Sequence, residues 1–377
     1  MKLLHLSDLH LGKRVNGFSM IPDQIHILDQ ILSIVRDHRP DAVLIAGDVY
    51  DKSVPSAESV ELLDRFLTSL VALDTEVYLI SGNHDSAERL AFGGELLAAS
   101  RVYVSPVYNG TVPAIRREDE FGPATFHLLP FLKPAHVRPH FPEAAIETFS
   151  DAVETALSVC DLSEGRHVLL SHQLVTGAER SESEDISIGG SDNVDASVFQ
   201  GFDYVALGHL HRPQNVGENL RYCGTPLKYS FSEANHDKSV TLVTLREKGD
   251  VSMEAIPLIP LHDLKQIRGS YSQLMDRSYY LDSGLPDCYL HITLTDEEDI
   301  PDAVGRLRSV YPLIMQLSYD NLRTRFHQNP LEEQAQPESS PLELFGLLYE
   351  KQNYTTMSRE ESDYLRAMME RIWEGEA

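Results

Sequence analysis

The chain has 377 residues, 42% of them hydrophobic and 24% charged, a globular composition long enough for two or three domains of roughly 100 to 200 residues each. Its 58 acidic against 32 basic residues leave a formal charge of −26, which excludes a protein that holds nucleic acid by its net field alone. No apolar run approaches the roughly 18 residues that span a bilayer, and MKLLHLSDLH meets His5 and Asp8 too early for a signal peptide, so a cytoplasmic protein is expected. Cys160, Cys223 and Cys288 lie far apart without a CxxC pair, which argues against a disulfide framework or a thiolate zinc site and fits a reducing compartment.

Short apolar runs predict strands at Lys2–Leu6, Ala42–Ala46, 77–80, 126–129, 168–170 and Tyr204–Leu207. Between them, apolar residues at helical spacing predict helices at 25–36, 57–73 and 144–159, so the first part of the chain reads as an α/β sheet with helices on its faces. Residues 115–123 look like an exposed hairpin tip and receive no function. GAERSESEDISIGG (177–190) is an acidic loop, either a gate to the site or a solvated surface segment. Further antiparallel strands at 221–222 and 239–244 make the sheet mixed or doubled. Past Pro257 and Pro260 the punctuation changes, and strands at Tyr289–Leu294 and Ile314–Tyr319 with a helix at 303–310 predict a small second domain. The polar, proline-bearing run RFHQNPLEEQAQPESSP (325–341) reads as a linker. A helix around 342–349 and another opened by a capping box between Ser358 and Glu361 close the chain. The last helix carries a stripe of Tyr364, Leu365, Met368, Met369, Ile372 and Trp373, which must dock on this chain or on a partner. The expected organisation is therefore 1–256, 257–323, a linker at 324–341 and helices at 342–377.

The chemistry is concentrated after the strands. SDLHLG (7–12), GDVYD (47–51), GNHDS (82–86), SHQ (171–173) and GHLH (208–211) each follow an apolar run and deliver Asp8, His10, Asp48, Asn83, His172, His209 and His211. These are oxygen and imidazole ligands suited to manganese, iron or zinc. Brought to the carboxyl edge of a sheet, where α/β proteins place their sites, they suffice for two ions. In Asp8-x-His10 and His209-x-His211, residues two apart along an extended segment project the same way, and Gly47, Gly82 and Gly208 allow tight bends beside them. Any one fragment is a common string; the signal is their joint occurrence in this order.

That ordered pattern, D-x-H, G-D, G-N-H-D, H and G-H-x-H, resembles the calcineurin-like binuclear metallophosphoesterases. The resemblance implies a four-layer α-β-β-α sandwich with a small α+β capping domain and a C-terminal helical tail. It implies that Asp8, His10 and His211 hold one metal and Asn83, His172 and His209 the other, with Asp48 bridging. It also makes His84 the catalytic histidine and Asp85 the residue that orients it. Within that superfamily, MKLLHLSDLHLGK, GDVYDKSVPSAESV (47–60), SGNHDSAERL (81–90), LPFLKPAHVR (129–138), SHQLVTGAERSESE (171–184), GHLHRPQ (208–214), DLKQIRGSYSQLM (263–275) and YLHITLTDEEDIPDAVGRLRSVYP (289–312) resemble the bacterial SbcD nuclease subunits. This implies a homodimeric exonuclease and endonuclease on DNA ends, hairpins and single strands, acting in repair and recombination under ATP control. The partner would be an SbcC-type coiled-coil ATPase that receives the C-terminal helices, and the cofactors would be two divalent ions, with Mn2+ the best fit and Mg2+ or Fe2+ as alternatives. Lys265, Arg268, Arg306 and Arg308 become candidate phosphate contacts of the cap. One departure stands out: archaeal and eukaryotic relatives carry a second active-site histidine shortly after the bridging aspartate, where this chain has Asp51. Two rival readings remain open, a stand-alone phosphodiesterase or phosphatase on small substrates and a non-catalytic tethering scaffold.

Overall fold

The computed structural model describes residues 1–179, 192–322, 324, 341–353 and 355–373. Most of the acidic loop and nearly all of the expected linker thus lie outside the described residues. The chain divides into two compact units, Met1–Leu264 and Lys265–Ala377.

In the first unit the strand Ala42–Ala46 (AVLIA) is buried at every position. A strand without a polar face must sit inside a sheet covered on both sides. It pairs in parallel with Lys2–Leu6 and Glu76–Ile80, and Val102–Val104 extends the parallel run. Ser239–Leu245 joins Lys2–Leu6 antiparallel and is followed by Val251–Pro257, completing a six-stranded sheet. The second six-stranded sheet repeats the plan, with Gly122–Leu129, Arg166–Ser171, Tyr204–Leu207 and Leu220–Tyr222 in parallel between antiparallel edges at Ala114–Asp119 and Gln214–Asn215. The expected mixed or doubled sheet is thus a pair of mixed sheets. Leu3, Leu44, Tyr78, Phe126, Leu170, Tyr204 and Val243 form the core between them, with Tyr78 stacked on Phe126 at 4.3 Å between ring centroids.

Helices close the outer layers. Ala57–Ala72, capped by Ser56, packs on the Glu76–Ile80 strand and against Ile21–His38. Phe149–Leu157 buries Ala152, Val153 and Ala156 in a cluster with Leu129, Leu169 and Val205 of the second sheet. The result is the four-layer α-β-β-α sandwich. The helix expected at 144–159 starts later because Thr148 and Asp151 cap it reciprocally, each side chain accepting the other's backbone N–H at 3.1 and 2.8 Å. Residues 258–264 are tied to this unit: Ile259 N–H donates to Gln30 at 2.9 Å, His262 Nδ1 lies 3.1 Å from Asp23, and Lys228 pairs with Asp263 at 2.8 Å.

The second unit contains a three-stranded sheet of Leu264–Gly269, Tyr289–Leu294 and Ile314–Tyr319. The last two strands are parallel, with the helix Ala303–Arg308 in the connection, as a parallel pair requires a crossover. Leu274, Leu290, Ile292, Leu307, Tyr311 and Ile314 form its core. The closing helices are Pro341–Asn353 and Arg359–Trp373. Ser358 N–H donates to Glu361 at 2.7 Å and Glu361 N–H returns to Ser358 Oγ at 3.3 Å, the capping box the sequence announced. Tyr349 OH donates to the same carboxylate at 2.7 Å and joins the two helices. Leu365 is buried, whereas Leu344, Phe345, Leu348, Tyr364 and Met368 are exposed. Among the described residues no helix is long and apolar enough to cross a membrane.

Candidate metal centre

Every motif residue singled out above reaches one place, the carboxyl ends of the parallel strands of both sheets. Asp8, His10, Asp48, Asn83, His84 and Asp85 come from the first sheet and His172, His209 and His211 from the second. Their backbones are laced together. Asp8 N–H donates to the Gly47 carbonyl at 3.0 Å and His10 N–H to that of Asp48 at 2.9 Å. The Asp8 carboxylate accepts the His209 N–H at 3.0 and 3.2 Å, joining the two sheets.

Asp8, His10, Asp48 and His209 all have positive φ, at 53°, 44°, 48° and 103°. Such backbone costs on the order of 1–3 kcal/mol per residue and concentrates at functional sites. The side chains of D-x-H therefore converge through left-handed turns, and the extended alternation expected from the sequence does not apply. The role expected of glycine is also partly different. Gly47, at φ 85°, makes the bend, but Gly208 is required by close approach: a Cβ there would run into the Ala46 carbonyl oxygen and His172.

Asp48 lies at the centre. His172 Nε2 is 3.3 Å from its Oδ2, His10 Nε2 3.8 Å and His84 Nε2 3.9 Å. Among the described residues, two sets of ligand atoms lie mutually within 4.8 Å, Asp8 with Asp48 and His172, and His10 with Asp48 and His84. Asp48 is common to both, and the first set joins Asp8 to His172, which the expected partition puts on different ions. Asn83 Oδ1 sits 3.0 Å from His172 Nε2 and 2.9 Å from His209 Nδ1. The His10 and His211 rings are 5.3 Å apart.

Burial sets the protonation of these groups. It holds His10 well below the usual histidine range and lowers His209 to about 3, helped there by His172. At Asp48 burial opposes ionisation, but the charge and hydrogen bond of His172 win and keep its carboxyl well below the carboxylate range. His172 shows the reverse: burial would lower it, and Asp48 pushes it up to about 9. Burial, with the Asp48 charge next, raises Asp85 to about 6.

Asp85 acts on the backbone. Its carboxylate accepts the N–H groups of Val49 at 3.1 Å, Tyr50 at 2.9 Å and Gly82 at 2.9 Å, clamping the Asp48 turn to the His84 turn. His84 N–H donates to Asp48 Oδ1 at 2.9 Å, and its Nδ1 lies 3.2 Å from the Asp51 carbonyl. Asp51 accepts Lys13 Nζ at 2.8 Å, with the same carboxylate oxygen 4.0 Å from His10 Nδ1.

The residues fit a pair of divalent ions. His10 is 1% exposed, and neither of its ring nitrogens has a hydrogen-bond partner among the described residues. An unpaired buried imidazole is costly unless something else takes its lone pair. The mixed oxygen and nitrogen donor set suits first-row divalent metals. Sequence reasoning missed the residues behind the ligands. Gln24 Nε2 donates to the His10 carbonyl at 2.8 Å, Tyr229 OH to that of Leu9 at 2.7 Å, and Glu233 lies 3.0 Å from His211 Nδ1. None of them belongs to a motif, so no local signal marked them.

Comparison with known proteins agrees with this geometry. The model of the calcineurin-like phosphoesterase family matches residues 1–213. A second, SbcD_C, described as the type 5 capsule protein repressor C-terminal domain, matches residues 260–353. Among solved structures, the chain is similar to a dimetal phosphatase from Danio rerio, with 13% identity, 68% of this chain and 95% of that one covered, and a TM-score of 0.40. It is also similar to the protein TT1561 of Thermus thermophilus, with 14% identity, coverage of 67% and 98%, and a TM-score of 0.39. With the first family model spanning more than half of its length, the chain belongs to the calcineurin-like phosphoesterases, and the second match supports an SbcD-type nuclease subunit.

Proposed function

We propose that this chain is the nuclease subunit of an SbcCD-type complex, a manganese-dependent enzyme that hydrolyses DNA phosphodiester bonds at ends, hairpins and single strands. The observation that carries the reading is the convergence of Asp8, His10 and His172 on Asp48, with His84 Nε2 3.9 Å from the same carboxylate, in a chain whose residues 260–353 match the SbcD_C domain.

Asp8, His10 and His211 would hold one ion, Asn83, His172 and His209 the other, and Asp48 both. When bound, such a pair supplies Lewis-acid charge for the non-bridging phosphate oxygens and lowers the pKa of the attacking water. The protein does the rest. Asp85 fixes the backbone of both turns, so Asp48 and His84 keep their spacing. With Nδ1–H donating to the Asp51 carbonyl, the His84 imidazolium would present its second N–H, on Nε2, to the reacting phosphate, where that proton passes to the leaving oxygen or stabilises its developing charge.

Arg306 and Arg308, exposed on the Ala303–Arg308 helix, and the half-exposed Lys265 are the phosphate contacts we assign to the cap. Arg268 is already paired with Asp320 and is the weakest of the four candidates. The exposed apolar residues of the closing helices form the surface for the SbcC-type ATPase. That partner would supply the basic surface that a chain of charge −26 lacks.

The test is nicking of a labelled DNA hairpin by the purified chain in manganese, beside Asp48→Ala. Cleavage by the wild type alone is expected. Failure to cut DNA, with or without the ATPase and ATP, while a small phosphodiester is hydrolysed would overturn the nuclease assignment in favour of a stand-alone phosphodiesterase.

A further inference from the structure

Behind His211 the fold buries a pair of opposite charges. Glu233, at the end of the short turn Phe231–Glu233, is 0% exposed, and its Oε1 lies 3.0 Å from Nδ1 of His211. Its Oε2 accepts a hydrogen bond from Lys238 Nζ at 2.6 Å. Lys238, itself 6% exposed, directs its other N–H groups to the His211 carbonyl at 2.8 Å and to Thr225 Oγ1 at 2.6 Å. The lysine therefore grips the backbone of His211 as well as the carboxylate that meets its ring.

Two buried charges seldom stabilise a fold more than apolar residues of the same size would. Their placement against one imidazole points to what they do for that ring. A carboxylate only accepts, so this hydrogen bond requires the proton on Nδ1 and leaves Nε2 with its lone pair, the form in which histidine binds a metal. The other two proposed histidine ligands from the second sheet are held differently. His172 Nδ1 meets the neutral Ala46 carbonyl at 2.8 Å, and His209 Nδ1 faces Asn83.

We propose that Glu233 is a positioning residue for one of the two ions: it fixes the tautomer and orientation of His211, and Lys238 holds it there. This rests on the binuclear reading above. A carboxylate behind a ligating imidazole also raises its basicity, and losing such a partner typically weakens metal binding about 10- to 100-fold.

The experiment is titration of manganese alone into the full metal-free chain by calorimetry, for wild type, Glu233→Gln and Glu233→Asp, with a thermal melt of each metal-free protein. Two ions bound by the wild type, one of them weakened about 10- to 100-fold in Glu233→Gln and the other unchanged, is the expected result. Equal affinities in wild type and Glu233→Gln overturn the role, whatever happens to the melting temperature. Loss of both ions from a folded Glu233→Gln chain also overturns it, because the orientation of one ring does not empty the other site. Should Glu233→Gln fail to fold, Glu233→Asp is expected to show a smaller weakening at the same single site, and wild-type affinity there overturns the role. A wild-type chain that binds fewer than two ions overturns the binuclear reading instead, without reference to any variant.

Discussion

His84 can be separated experimentally from the ligands around it. Its hold on Asp48 runs through its backbone N–H, at 2.9 Å, so truncating the ring leaves that bond in place. His84→Ala is therefore expected to retain both ions while turnover falls by about 10² to 10⁴, the usual contribution of a positioned proton donor. Metal content by mass spectrometry beside hairpin cleavage rates checks this; full activity in the metal-loaded variant would remove His84 from the reaction. Other residues of the site differ in how plainly the sequence announced them. Asp8, His10, Asp48, Asn83, His172, His209 and His211 were visible because unusual side chains followed apolar runs in a fixed order. Glu233 and Lys238 were not, because their meeting with His211 depends on how residues 223–238 fold back. The position of Asp85 was visible, but its three backbone partners depend on two turns lying side by side.

Among the elements, strands were legible where they are buried on both faces. Lys2–Leu6, Ala42–Ala46 and Tyr204–Leu207 have the bounds expected from their apolar runs. Edge elements were legible only in part, with Ile314–Tyr319 expected at its observed bounds. Arg14–Val15 and Phe18–Ser19 are two residues each, and Leu264–Gly269 (LKQIRG) has only two large apolar residues, three apart, and so lacks the strand period. The hairpin expected at 115–123 does form, as the edge of the second sheet, and it carries an electrostatic tie. Asp119 meets Arg166 at 2.5 Å, and Arg166, 1% exposed, also donates to the carbonyls of Gly122, Leu245 and Arg246. The hairpin is thus fastened to the end of the Ser239–Leu245 strand of the first sheet. Burial opposes the Asp119 charge, but the Arg166 hydrogen bond prevails and holds its carboxyl below the usual range. A carboxyl depressed on folding adds stability above its unfolded pKa of about 3.9, and that stability is lost as pH falls toward the folded value. Asp119→Asn is accordingly expected to cost about 3 kcal/mol near neutral pH, since it strands a buried guanidinium. The gap from wild type should narrow as the pH drops below about 4. Urea unfolding from pH 7 to pH 2.5 measures it, and a gap independent of pH would refute the account.

At the scale of the molecule, all the proposed ligands lie within Met1–Leu264, while the closing helices belong to the other unit. The two properties should therefore separate. Removal of residues 341–377 is expected to leave metal content and small-phosphodiester hydrolysis intact and to abolish co-purification with an SbcC-type ATPase. An unchanged complex would show that Leu344, Phe345, Leu348, Tyr364 and Met368 face something else.

The Asp8 carboxylate that accepts the His209 N–H joins loops of two different sheets, and the ligand set as a whole is drawn from both. A site of that kind is a clasp. Whatever it binds, it binds only while the two halves of the sandwich are pressed together, so ligand affinity and closure of the core form one equilibrium. An ion held at 100 times its dissociation constant adds about 2.7 kcal/mol to the closed state. A chelator, by the same linkage, acts on the seam between the sheets, and the chain that loses its chemistry also loses part of what keeps Phe126 against Tyr78.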